Sequence, residues 1–285
     1  MEIQTFCDYF SLHQEHSQHQ TICDLEITTD VNGQVVNKRR VPKNIDLGNG
    51  SSVRIFSDGT RTSFSGNPSR AGRLENFSGV SLDAGKTIAN QIMSDNGLPE
   101  FTKGAKFTQI DITANLAAGK HLRTYLRALQ CHAFGRLETT IDNGNVYFGK
   151  YSRHRQGRFY DKGKELREKH VPQHKGDAKN YLIQLADWCD TNGVVRNELK
   201  FLRALERLNV RDWESATHEK LEQMFNKEIK PMTKLEVIAL DDVPMPYRAT
   251  LALYMAGADL SEAMHPQTLK LHKRELKKTR LQHQR

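Results

Sequence analysis

Cysteine is scarce and scattered in this chain: Cys7, Cys23, Cys131 and Cys189 form no CxxC pair and no compact framework. That excludes a disulfide scaffold, and in 285 residues it reads as reduced thiols in a cytosolic setting. No run approaches eighteen apolar residues, so no membrane-spanning helix is expected. Residues 1–10 show no basic stretch followed by an apolar one, so no secretory signal is expected. A GxxxxGK[ST] phosphate loop is missing, which excludes nucleotide hydrolysis by that route. A GxSxG elbow is missing too. His13, His16 and His19 form HxxHxxH in the polar stretch SLHQEHSQHQ, read as preceding a strand; structural zinc needs four converging ligands with a supporting second shell and is disfavoured there.

Charge is what the chain has in quantity. Charged residues make up 27%, the formal net charge is +8, and mean hydropathy is -0.66 with a pI near 9.3. Such a balance favours a polyanion as partner. Residues 150–169 carry eight Lys or Arg against three Asp or Glu, and residues 267–285 seven against one. Two separated basic segments imply two contacts with a phosphate backbone.

Turn signals divide the first hundred residues into strands. Alternation over 24–36 breaks at Asn32-Gly33, and over 51–66 at Asp58-Gly59, both hairpin signals. GNPSR at 66–70 predicts a turn presenting Asn67, Ser69 and Arg70 at the surface. Ile88, Ile92 and Met93 have helical spacing over 87–97, closed by Gly97. A strand over 107–116 sets Gln109, Asp111, Thr113 and Asn115 on one face, with Ile110 and Ile112 on the other. A helix over 117–134, a strand over 146–152, a capped helix over 177–193 and a strand over 194–201 follow. In that last strand Arg196, Glu198 and Lys200 share a face. Beyond residue 210 helices take over, at 213–230, 247–256 and the basic 267–278. The helix at 247–256, the glycine turn from Gly257, a short helix from Ser261 and the basic helix fit a helix-turn-helix module or a terminal bundle with a solvated basic face. Three parts are therefore expected: a β-rich lobe at 1–105, a mixed strand-and-helix part at 106–209 and a helical part at 210–285.

Residues 151–166, YSRHRQGRFYDKGKEL, hold the densest chemistry. A phenol attacks a phosphodiester usefully only when cations screen the phosphate, a base or metal takes the proton, and the reactants are held together. In an extended segment Tyr160 and Lys162 point the same way while Phe159 faces inward. Lys162 would then stabilise the phenolate or the leaving oxygen. Tyr151 reads as a second nucleophile or as a packing aromatic. Asp111, Glu165 and Glu198 lie on or beside strands and suit a hard divalent cation, Mg2+ or Mn2+. The bland alternative makes each carboxylate the partner of a nearby Arg or Lys, and Tyr160 a surface aromatic beside a lysine.

Several motifs in order resemble the filamentous-phage rolling-circle replication initiators, over most of the chain. They are GNPSR at 66–70, GRLENFSG at 72–79, NGLPEFT at 96–102, QIDITANL at 109–116, SRHR at 152–155, RFYDKGKEL at 158–166 and VVRNELKFL at 194–202. At the C-terminus MAGADLSEAMHPQTLKLHKREL at 255–276 looks like the family's terminal helical segment. The resemblance implies a sequence-specific DNA nickase that makes a phosphotyrosine link, with Tyr160 at the nucleophile's position. Asp111, Glu165 and Glu198 match its recurrent acidic positions. Many rolling-circle nickases hold their metal with a His-hydrophobic-His pair. No two histidines here are spaced by two, so carboxylates would have to replace the imidazoles.

The resulting expectation is an α+β fold, an antiparallel sheet with flanking helices like the Rep nickases, plus a small helix-turn-helix-like C-terminal domain. Tyr160 would nick the double-stranded viral origin, keep the 5′-phosphate and release a 3′-OH primer, with Lys162 assisting and closing to follow. Arg70, Arg153, Arg155 and Arg158, with Lys270, Lys273, Arg274 and Lys277, would hold double-stranded and single-stranded origin DNA. Host helicase and polymerase would be further partners, in the bacterial cytoplasm. A non-catalytic origin or operator regulator using the C-terminal helices alone is the competing reading. A tyrosine recombinase is disfavoured, because the last tyrosine, Tyr254, lies in an apolar helix.

Overall fold

Apolar and polar residues alternate along most of the strand segments, and these fold into one broad antiparallel sheet. A computed structural model describes residues 4–48, 50–119, 122–130, 137–233, 244–256 and 260–282. The sheet begins with β1 (Thr5–Glu15) and continues, past a separate hairpin of β2 (Asp24–Thr29) and β3 (Val35–Val41), into β4 (Lys43–Asp46), β5 (Ser52–Ser57) and β6 (Arg61–Gly66). After helix α1 (Leu82–Asp95) come β7 (Lys106–Ala117), α2 (Leu122–Gln130), β8 (Thr139–Asp142), β9 (Asn145–Phe148) and β10 (Arg155–Asp161). A single turn, α3 (Lys162–Glu165), runs through π and 3-10 turns toward α4 (Gly176–Asn192), which feeds β11 (Val194–Phe201). The nine strands lie in the order β4-β5-β6-β1-β7-β11-β10-β9-β8. This is the expected α+β class.

The sheet's inner face carries the core. Phe10, Leu12, Ile110, Ile112, Phe148, Phe159, Val195, Leu199 and Phe201 pack there with Leu82, Ala89 and Met93 of α1. Leu221, Phe225 and Ile229 of α6 (His218–Thr233) join the same cluster, after a short α5 (Ala204–Arg207). Each buried Phe contributes roughly 1.5–3 kcal/mol. A smaller cluster, Leu166, Leu182, Ala186, Cys189 and Val194, ties α4 to the turn after β10.

Three expectations change. The boundary at 105/106 separates chain segments and not cores, since β1 pairs directly with β7. The boundary at 210 assigns α6 to the C-terminal part, yet its apolar stripe is buried in the sheet's core. The polar stretch at 11–20, expected to precede the first strand, has its first half within β1. Pairing on both edges, to β6 and β7, satisfies that strand's backbone in spite of its side chains.

Helix α1 starts at Leu82, five residues before the expected start, because Ser81 caps it by accepting from the Ala84 N–H at 3.1 Å. Helices α7 (Met245–Ala256), α8 (Leu260–Ala263) and α9 (Pro266–Gln282) pack on one another. Thr250 Oγ1 sits 2.6 Å from His272 Nδ1, and the Tyr247 ring meets the His272 ring edge-on. Among the described residues no helix is long and apolar enough to cross a membrane.

Candidate active site

Strand register builds the site. In β10 and β11, Arg158 lies opposite Glu198 and Tyr160 opposite Arg196. In β11 and β7, Glu198 lies opposite Thr113 and Lys200 opposite Asp111. Period-two alternation therefore puts Arg158, Tyr160, Arg196, Glu198, Lys200, Asp111 and Thr113 on the face away from Phe159, Leu199 and Ile112. Tyr147 of β9, opposite Arg158, joins that face.

Tyr160 is the centre. Its hydroxyl donates to Glu198 Oε1 at 2.6 Å, a short charge-assisted geometry. Contrary to a freely displayed nucleophile, the residue is only 2% exposed. The Arg158 guanidinium covers its ring at 4.3 Å and also lies 5.8 Å from the Tyr147 ring, a cation–π stack. Arg158 Nη1 reaches Glu198 Oε2 at 3.9 Å. Burial, then the Glu198 charge, push the phenol well above its ordinary range. Burial, then Asp8, also raise the Glu198 carboxyl, which makes it a stronger proton acceptor than a surface glutamate.

Beneath this pair lies Arg196, fully buried. Its guanidinium is 3.3 Å from Asp8 and 3.5 Å from Glu198, and donates to the Asn76 carbonyl. Asp8 escapes sequence reasoning. It sits at a register shift between Cys7 and Tyr9, so simple alternation does not assign its face. The visible signal is an acid inside the aromatic run TFCDYF. Asp8 accepts from Asn67 Nδ2 at 2.7 Å and from Asn76 Nδ2 at 3.4 Å. The turns at 66–70 and 72–79 thus close around the site from behind. Ser69, expected at the surface, is buried and donates to the Cys7 carbonyl. Arg70, expected on DNA, spends a guanidinium N–H on the Leu74 carbonyl at 3.2 Å.

Lys162 departs from expectation. Strand β10 ends at Asp161, whose carboxylate caps α3 by accepting from Lys164 N–H at 3.0 Å, so the extended geometry stops before Lys162. The ammonium is fully buried and donates to Asn76 Oδ1 and to Glu165 Oε2, both at 2.8 Å. Its hydrogen bonds do not go to the phenol. Burial, then Arg196, lower its affinity for a proton. Burial raises Glu165, but the His170 hydrogen bond and the Lys162 charge outweigh it and hold the carboxyl well below the usual range.

The three expected metal ligands are not assembled as a set. Glu165 is engaged by Lys162 and His170, and Glu198 by Tyr160 and two guanidiniums. Asp111 is a diagonal neighbour of Glu198, roughly 7–8 Å away by sheet geometry. It takes Gln109 Nε2 at 2.9 Å and is pushed up to about 8, by burial first, with Lys200 opposing. Among the described residues no three His, Cys, Asp or Glu form a group able to hold a metal ion. A preassembled Mg2+ or Mn2+ cage does not fit these side chains.

The expected DNA contacts divide. Arg153 is exposed. Arg155 is half-buried and pairs with Glu228, tying β10 to α6. Arg158 covers the tyrosine. Lys270 and Lys273 line a shallow hollow with Met264 and Leu269, and Arg274 pairs with Glu275 at 3.1 Å. The Lys277 side chain lies outside the described residues. Tyr151 is 83% exposed in the turn before β10, with the Lys150 ammonium 5.9 Å from its ring.

Residues 50–218 match a family model that describes the N-terminal part of a phage replication-associated protein. The replication-associated protein of Escherichia phage If1 is 28% identical over 226 residues, which is 66% of this chain and 69% of that protein. Among solved structures, a rolling circle replication initiator protein from Geobacillus stearothermophilus aligns over 80% of both chains at 12% identity. Its TM-score of 0.30 marks a distant likeness.

Proposed function

The chain belongs to the family of filamentous-phage replication initiators, and from that premise we propose that it nicks the double-stranded phage origin through Tyr160 and later closes the displaced strand. The observation that carries this reading is the 2.6 Å hydrogen bond from the Tyr160 hydroxyl to Glu198, on a strand pair that also supplies two guanidiniums. A phenol with a raised pKa needs a base, and a carboxylate with a raised pKa is a better one. General-base assistance of this kind is worth about 10²–10⁴ in rate.

In the proposed step the Tyr160 oxygen attacks phosphorus while Glu198 accepts the phenolic proton. The P–O3′ bond breaks, and the departing oxygen takes a proton from water and leaves as a 3′-OH. The 5′-phosphate stays on Tyr160 as a phosphodiester, so closing needs no nucleotide cofactor. Arg158 would leave the tyrosine for the incoming phosphate, whose two non-bridging oxygens its planar fork engages bidentately in place of a single carboxylate oxygen at 3.9 Å. That exchange uncovers the ring and frees Glu198 of one ion pair. Arg196 stays beneath as a fixed positive charge for the phosphorane. Lys162 acts as a positioning residue, holding Glu165 and Asn76 behind Arg196.

Origin DNA, duplex before the nick and single-stranded after it, is the proposed partner, with Arg153 and the C-terminal Lys270 and Lys273 on its backbone. The 3′-OH would prime a host polymerase, with a host helicase as a further partner, in the bacterial cytoplasm. A requirement for Mg2+ or Mn2+ is a separate proposal, carried by the family and not by an assembled ligand set, and no step of the reaction is routed through the ion. Closing needs a second attacking group, from the new 3′-OH, from Tyr151 or from another subunit, and the same substitution applied to Tyr151 tests its part.

Tyr160→Phe keeps the ring and removes only the nucleophile. Nicking of supercoiled phage DNA is expected to vanish while duplex affinity stays as in the wild type. Retained nicking would overturn the reading. If the wild type itself does not nick, the regulator reading takes its place.

A further inference from the structure

Nothing in the proposed reaction uses the hairpin of β2 and β3. It stands as its own two-stranded sheet, not hydrogen-bonded into the nine-stranded one, and every residue of β2 and all of β3 except Val41 is exposed. At its base the Ile22–Ser57 bridge and strand β4 anchor it to the edge of the main sheet. It also lies before the family-matched span of 50–218.

Its two faces differ. Leu25 lies opposite Arg40 and Ile27 opposite Lys38, so these four share a face. Leu25 is 57% exposed and Ile27 49%, and no acid stands among them. On the other face Arg39 is already paired with Glu26 at 2.8 Å. No ion pair engages Lys38 or Arg40 among the described residues. The tip carries Val31, fully exposed.

We propose that this ribbon docks in the major groove of duplex DNA, with Lys38 and Arg40 on phosphates and Leu25 and Ile27 against sugars and thymine methyls. The inference rests on DNA being the partner of the proposed reaction. A two-stranded β-ribbon fits the major groove, about 12 Å wide. Phosphate-directed cations beside apolar side chains match what that groove offers. A single strand is a poorer occupant, since residues 24–41 contain no Phe, Tyr or Trp on which unpaired bases could stack. A second copy of the chain is poorer still, because face-to-face ribbons would bring four cations together with no acid between them.

The test uses the full chain carrying Lys38→Ala and Arg40→Ala together. Fluorescence anisotropy over a salt series measures binding to a short labelled duplex of mixed sequence and to one of its strands alone. The duplex log-log salt slope is expected to shrink by about 1.8, two phosphate contacts at about 0.9 each. Single-strand affinity and Tyr160-dependent cleavage of a single-stranded oligonucleotide are expected to stay unchanged. An unchanged duplex slope overturns the proposal. So does an equal loss on the single strand, or a shift from dimer to monomer in sedimentation. Failure of the Tyr160 reading would show instead as a wild type that binds duplex without cleaving anything.

Discussion

In the proposed reaction, a phenol bonded to a carboxylate and roofed by a guanidinium is a nucleophile held in reserve. Arg158 Cζ lies 4.3 Å from the centre of the Tyr160 ring, and the residue is 2% exposed. Arg158→Ala is therefore expected to open Tyr160 to tetranitromethane, raising nitration of its peptide several-fold toward the rate of exposed Tyr151. Arg158→Lys lacks the planar guanidinium and should fall between. If Tyr160 in the wild type nitrates as fast as Tyr151, or stays slow in Arg158→Ala, the guanidinium is not the cover. At this scale the sequence is informative where alternation holds. Tyr160, Glu198 and Asp111 share a face because β7, β10 and β11 run regularly through them. Asp8 is hidden by a one-residue register shift, and Lys162 defeats the pattern because the cap at Asp161 ends the strand one residue too soon.

Among the elements, the turn after β10 does the most to shape the site. The Asp161 cap, the single turn α3 and the π turn at Leu166–His170 bring Lys162, Glu165 and His170 together. π turns of this sort often occur at functional sites. Gly163 lets the turn lie close on α4, since a Cβ there would displace the Asp190 carboxylate and come within 3.2 Å of the Ala186 carbonyl. Removing the buried ammonium leaves Glu165 and Asn76 short of a partner. Lys162→Met is expected to cost about 3–5 kcal/mol in urea unfolding, the usual toll of breaking a buried pair. A loss below about 1 kcal/mol would mean that the pair does not hold the turn. Elements bounded by turn chemistry are legible: the hairpins at Asn32-Gly33 and Asp58-Gly59, and β11 at 194–201. The second half of strand β1 is not, because its mostly polar run from Ser11 to Glu15 makes sense only between two pairing neighbours.

Over the whole molecule the site lies on the middle of a wide sheet. β11 pairs with β10 and β7 along its length, so Glu198 and Arg196 stand on backbone fixed at both edges. Rigid strands suit the proposed pairing of Tyr160 with Glu198, whose geometry matters. The α+β class and the place of the tyrosine are readable from the sequence, whereas the merging of the first two segments into one sheet depends on long-range pairing that local patterns do not encode. The central claim is that Tyr160 becomes covalently attached to the 5′ side of a nick. Incubation with supercoiled phage DNA and Mn2+, followed by nuclease and protease digestion, puts that to mass spectrometry. The account predicts a nucleotide mass on the peptide containing Tyr160. Nicked DNA with no protein adduct, or an adduct on Tyr147 or Tyr151 with Tyr160 unmodified, would contradict it.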